Sequence, residues 1–174
     1  MNKYEFTWEL IGDIEDGRSN LGNQVGVEIY RLMQFTLRAV IEENYGAEEA
    51  DRIFFEAGRI AGLHFYKNVI PPAENLNDFV SKTQAALKEA KIGILRIETV
   101  TKDDITLTLD EDLDCSGLPQ VEFETCIYDE GFVSGLFEAF TGRKWVAKEI
   151  DCWCTGARTC RFEVKLIKDS DGSE

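Results

Sequence analysis

The densest chemistry in the chain lies in EIDCWCTGARTC, residues 149–160, where Glu149, Cys152, Cys154 and Cys160 fall close together. Two further cysteines, Cys115 and Cys126, precede it. Thiolates and carboxylates both bind zinc, and four such donors make a closed structural site. Cys152 and Cys160 flank the loop WCTGART between two strands, so their sulfurs can meet at facing strand ends. Cys126 stands upstream, at the junction with a helix. Spacing alone leaves three readings open: a zinc site, small apolar side chains in strands, or the reactive thiols of a redox sensor. Glu149 and Cys152 lie on opposite faces of a flat strand and need a bulge to converge. Cys154 shares the face of Cys152 and is the alternative to Glu149 as fourth ligand. Cys115, in the acidic loop EDLDCSGLPQ (111–120), reads as standing apart from the cluster.

Little else in the sequence suggests catalysis. The single histidine, His64, excludes a multi-histidine metal site. GFVSG (131–135) is not a nucleophile elbow, because Ser134 is in the fourth position and no histidine follows it. No phosphate-cradling glycine motif occurs. Nicotinamide, flavin and iron–sulfur signatures are also missing. No catalytic residue is assigned, and the chain reads as a binding protein rather than an enzyme. GRIAG (58–62) and GFVSG each place two glycines four apart, which bares one helix face for a close neighbour, either another helix or a ligand.

The elements that must carry these residues follow from periodicity. Helical spacing covers Gln24–Tyr45, Ala47–Asn68 and Leu76–Lys91, with Asn75 or Asn77 available to cap the third. Alternation then marks a hairpin, IGILRIETV (92–100) and DITLTLD (104–110). VEFETCIY (121–128) reads as a short strand leading to a helix over Tyr128–Phe140. WVAKEIDCWC (145–154) and CRFEVKLI (160–167) read as the last two strands. The fold class is α+β, with N-terminal helices packed on a mostly antiparallel sheet and one further helix. Residues 1–22 are expected to form an arm, 23–168 a single domain and 169–174 a disordered tail. The net charge of −14 repels phosphate backbones and anionic membranes, so no nucleic-acid partner is expected. No apolar run is long enough to span a membrane and the N-terminus lacks a signal-like core, so a cytoplasmic location is expected.

CIYDEGFVSG (126–135), KEIDC (148–152) and TGARTCRFEV (155–164) resemble the 4-vinyl reductase domain family, most strongly over residues 93–166. That family includes proteins associated with bacteriochlorophyll 4-vinyl reduction and the sensor domains of phenol- and xylene-responsive activators. Its fold is related to that of Golgi-transport (TRAPP) subunits. The resemblance implies structural zinc on Cys126, Glu149, Cys152 and Cys160. It also implies an apolar pocket for a hydrophobic or aromatic small molecule, with Phe54, Gly58, Gly62, Phe65, Phe132 and Trp145 as wall candidates and His64 as a possible ligand contact. A homodimer through residues 25–65 is a further implication. Two alternatives stand beside this sensor or carrier. One is a tetrapyrrole-binding protein (for a chlorophyll precursor, bilin or haem) in pigment metabolism or photosynthetic assembly. The other is a thiol-based redox sensor.

Overall fold

In a computed structural model that describes residues 4–121 and 125–168, the periodic segments assemble into helices laid on one face of a four-stranded sheet. The expected tail at 169–174 and residues 122–124 of the expected strand lie outside the described residues. After a 3-10 turn (Trp8–Ile11) and a single-turn helix α1 (Ile14–Gly17) come α2 (Val27–Tyr45), α3 (Ala47–Val69) and α4 (Leu76–Glu89). The hairpin β1 (Ile94–Val100) and β2 (Asp104–Asp110) follows, then α5 (Ile127–Thr141), β3 (Trp145–Asp151) and β4 (Cys160–Leu166). The sheet order is β1-β2-β4-β3, antiparallel throughout.

Local chemistry sets the boundaries. Gly46, with φ of 87°, lets the chain leave α2 and enter α3 at once, a conformation that strains any residue with a Cβ. The Asn75 side chain accepts the Asp78 N–H at 3.1 Å and caps α4. The strand expected over 121–128 does not form where the chain is described. Val121, Thr125 and Cys126 are in no strand, and Ile127 already opens α5.

The core lies between the sheet and α4 and α5. Inward residues alternate along the strands: Ile105, Leu107 and Leu109 on β2, and Cys160, Phe162, Val164 and Leu166 on β4. From α4, Phe79 stacks on Phe140 at 4.3 Å and meets Phe137 edge-on. Helices α3 and α5 touch backbone to backbone. A Cβ on Gly58 or Gly62 would land on the carbonyl of Tyr128 or Phe132, and one on Gly131 or Gly135 on that of Phe55 or Arg59. The two glycine pairs noted in the sequence therefore face each other. Helix α2 lies outermost, with Ile29, Leu32, Met33, Leu37 and Val40 exposed. Ahead of the first 3-10 turn, Phe6 packs edge-on against His64 at 5.0 Å.

Candidate metal centre and ligand groove

Three elements bring sulfur to one interior point. Cys126 occupies the N-cap of α5. Cys160 opens β4, and Cys152 leads into the 3-10 turn Trp153–Thr155 that β3 feeds. The register between β3 and β4 shifts between Glu149 and Asp151, so a bulge lies where Glu149 and Cys152 need one. Cys126 Sγ lies 3.8 Å from both Cys152 Sγ and Cys160 Sγ. Zinc–sulfur bonds of about 2.3 Å give a tetrahedral edge of about 3.8 Å, so the sulfurs fit a single tetrahedral ion.

The fourth sulfur corrects the sequence reading. Cys115 does not stand apart: its Sγ lies 3.0 Å from Cys160 Sγ, and the sulfurs of Cys115, Cys126, Cys152 and Cys160 all fall within 4.8 Å of one another. The cause is the pairing of Leu109 on β2 with Cys160 on β4. It delivers the turn after β2 to the site, and Asp112 Oδ1 shapes that turn by accepting the N–H groups of Asp114 and Cys115 at 2.6 and 3.3 Å. The sequence signal was the DLDC turn just beyond β2. Cys154 is buried but outside this set, its Sγ 3.2 Å from Thr125 Oγ1.

Glu149 completes the surroundings. Its carboxyl is buried and neither oxygen has a hydrogen-bond partner. Burial, then the charge of neighbouring Cys152, pushes it up to about 8. The thiols shift one another. Contacts from Cys115, Cys126 and Cys160 hold Cys152 far below the usual thiol range, whereas Cys126 and Cys160 are pushed up, each chiefly by Cys115. A divalent cation bound there would displace thiol protons.

The remaining candidates are dispersed. Gly58 and Gly62 are filled by the α5 backbone. Phe65 meets Phe132 edge-on at 5.4 Å, and Trp145 packs on Phe137 while its indole N–H donates to Thr141 Oγ1 at 2.9 Å. His64 faces Phe6. Of the expected wall residues, Phe54 lines a groove. This groove of about 170 Å³ between α2, α3 and the start of α5 is walled by Tyr30, Met33, Leu37, Phe54 and Tyr128. Gln34 also lines it. The Gln34 Nε2 amide donates to Asp114 Oδ2 at 2.6 Å, which leaves its buried Oε1 without a donor. Sequence reasoning missed Gln34 because a glutamine in a helical stripe reads as a solvated position.

Groove and sulfur site are joined by one strut. The Tyr30 hydroxyl donates to Asp114 Oδ1 at 2.8 Å, and Arg31 donates to the carbonyls of Leu113 and Ser116 at 2.8 and 2.9 Å. Helix α2 therefore grips the turn that carries Cys115. Burial, then the Asp114 charge, pushes the Tyr30 hydroxyl up, so it stays a donor.

Comparison with known proteins matches residues 105–166 to the 4-vinyl reductase domain. Uncharacterized protein MJ1642 of Methanocaldococcus jannaschii is 31% identical over 155 residues, covering 88% of this chain and 85% of that protein. The phenol-responsive sensory domain of the transcription activator PoxR, solved with phenol, superposes with a TM-score of 0.67 at 14% identity, over 82% of this chain and 75% of that one. A vinyl-4-reductase family protein from Methanocaldococcus jannaschii gives 0.65 at 15% identity, over 95% of this chain and 99% of that one. Trafficking protein particle complex subunit 3 from Naegleria fowleri gives 0.64 at 12%, over 82% and 95%. The fold is that of 4-vinyl reductase and TRAPP-like domains, and among the described residues no helix is long and apolar enough to cross a membrane.

Proposed function

The chain belongs to the 4-vinyl reductase domain family, and from that premise we propose that it is a small-molecule-binding sensor or carrier domain braced by a structural zinc ion. The observation that carries the ligand reading is the unpartnered Gln34 Oε1 in the apolar groove. A buried acceptor without a donor costs about 1–3 kcal/mol. A small ring bearing one O–H or N–H group removes that cost and fills the groove. The phenol held by the PoxR sensory domain has this chemistry. A ligand that engages Gln34 also bears on Asp114, and through it on the Cys115 turn. The groove supplies a route from ligand to metal site.

For the metal, Cys126, Cys152 and Cys160 are the fixed ligands, and Cys115 and Glu149 compete for the fourth position. Glu149 is favoured by its two orphaned oxygens, Cys115 by its sulfur at 3.0 Å from that of Cys160. A second copy of the chain covers the exposed apolar stripe of α2 formed by Ile29, Leu32, Met33, Leu37 and Val40. Met33 and Leu37 belong both to that stripe and to the groove rim, so dimerisation closes the groove.

Thermal melting with phenol and with toluene tests the ligand reading. Phenol should raise the melting temperature more than toluene, and Gln34→Leu should erase the difference while the protein stays folded by circular dichroism. No shift with either compound at millimolar concentration would overturn it. Zinc content is read separately, by native mass spectrometry of the same preparation.

A further inference from the structure

One turn along α5 from Cys126, Asp129 is buried beneath the turn that follows β2, where Asp112 is also buried. A carboxylate oxygen from each, together with Cys126 Sγ, lies within 4.8 Å of the other two. Asp112 Oδ1 is engaged by the N–H groups of Asp114 and Cys115, but Asp112 Oδ2 has no partner. Asp129 Oδ2 has none either. Two buried carboxyl groups, each with an orphaned oxygen, and a sulfur therefore converge in one enclosed space, with Asp129 only 6% and Asp112 only 2% exposed.

Among the described residues, no side-chain cation reaches the orphaned oxygens. Arg31 approaches from α2, but its guanidinium is engaged by the backbone carbonyls of Leu113, Ser116 and Asp112. Asp114 adds a further buried carboxylate beside them, held by Tyr30 and Gln34. An unpaired buried charge is expensive, and such groups are ordinarily paired or bound to a metal. The donor set decides which metal. Two carboxylate oxygens and one thiolate suit a borderline cation such as zinc, whereas magnesium and calcium take oxygen alone.

We propose that Asp112, Asp129 and Cys126 hold a second divalent cation of the zinc class, with the Cys126 thiolate bridging it to the first site. The inference rests on the structural-zinc reading only through that shared sulfur. The acidic turn after β2 then has two tasks: it places Cys115 beside the first site and delivers Asp112 to the second.

The test is metal counting on the full-length protein, loaded with zinc, freed of excess and weighed by native mass spectrometry. Two zinc ions per chain are expected. Asp112→Asn and Asp129→Asn should each reduce the count to one, and Cys154→Ser should leave it at two. One zinc in the wild type, unchanged by either aspartate variant, would overturn the second site and leave the first intact. Two zinc ions retained by both aspartate variants would also overturn it. No zinc at all would remove both readings together. Should Asp129→Asn fail to fold, the wild-type count and Asp112→Asn still decide.

Discussion

Helices α5 and α2 are both rich in apolar residues, yet the fold uses them in opposite ways. Every residue of α5 from Asp129 to Phe137 is buried, including the acids Asp129 and Glu130. In α2 the one buried residue is polar, Gln34, and the apolar residues Ile29, Leu32, Met33, Leu37 and Val40 are exposed. α5 is enclosed by α3, the sheet and the sulfur site, so its apolar surface is satisfied within the protomer. α2 is tied to the turn after β2 by polar links from Tyr30, Arg31 and Gln34 and to α3 by the Arg38–Asp51 ion pair. An apolar stripe thus states that a face must be covered, not which molecule covers it.

The largest expected effect breaks α5 at its glycines. A side chain at Gly131 would collide with the Phe55 carbonyl of α3, and neither backbone can yield without moving a whole helix. Gly131→Val should cost about 4 kcal/mol or more, or prevent folding altogether. Urea denaturation checks it, and a near-wild-type midpoint would mean that α3 and α5 are not locked together. Next in size is the proposed metal brace at the N-terminus of α5. Cys160→Ser should lower the melting temperature by roughly 10 °C, since loss of a structural metal removes several kcal/mol and each is worth a few degrees in a chain this long. A chelator should reproduce the drop on wild type. Cys115→Ser and Glu149→Gln should each have less effect alone, and their combination should equal Cys160→Ser. A melting temperature that Cys160→Ser leaves unchanged would refute the brace.

How far the sequence disclosed this arrangement depends on distance along the chain. The helices and the hairpin were legible because their periods are local: α3 ends within a residue of its expected limit and β2 spans DITLTLD as read. The glycine pairs announced a close approach, but not that each pair was the other's partner. Cys115 was misread because its place depends on β2 pairing with β4, between Leu109 and Cys160, a contact that no local pattern encodes. The same pairing brings Asp112 inward. Gln34 was invisible for another reason. Its burial comes from Asp114, and a helical position occupied by glutamine ordinarily faces water.

The α2 face gives a smaller effect on the protomer and a large one on assembly. Leu32→Glu with Leu37→Glu should abolish self-association in sedimentation velocity. Stability measured on dilute protein should move by only about 0.5 kcal/mol, as for other exposed sites. A large loss of stability at dilution would instead place α2 in the core of the protomer, beside α5.

The smallest expected effect separates two orphaned polar atoms. Thr83 Oγ1, buried on α4, has no partner, as Gln34 Oε1 has none. Thr83 borders a void of about 10 Å³ against Val133, Leu136 and Phe137 of α5, room for one water at most. An organic ring does not fit there, whereas the groove beside α2 is far larger, at about 170 Å³. Thr83→Val preserves shape and removes the orphaned hydroxyl. It should change stability by no more than about 1 kcal/mol, in the stabilising direction, because an unpaired buried polar group is exchanged for an apolar one. It should leave the response to phenol untouched. Gln34→Leu removes the orphaned acceptor beside α2, together with the amide bond to Asp114, and should lose that response. Equal loss of the phenol response in both variants would place the ligand against α5 instead, in a void that must open to admit it.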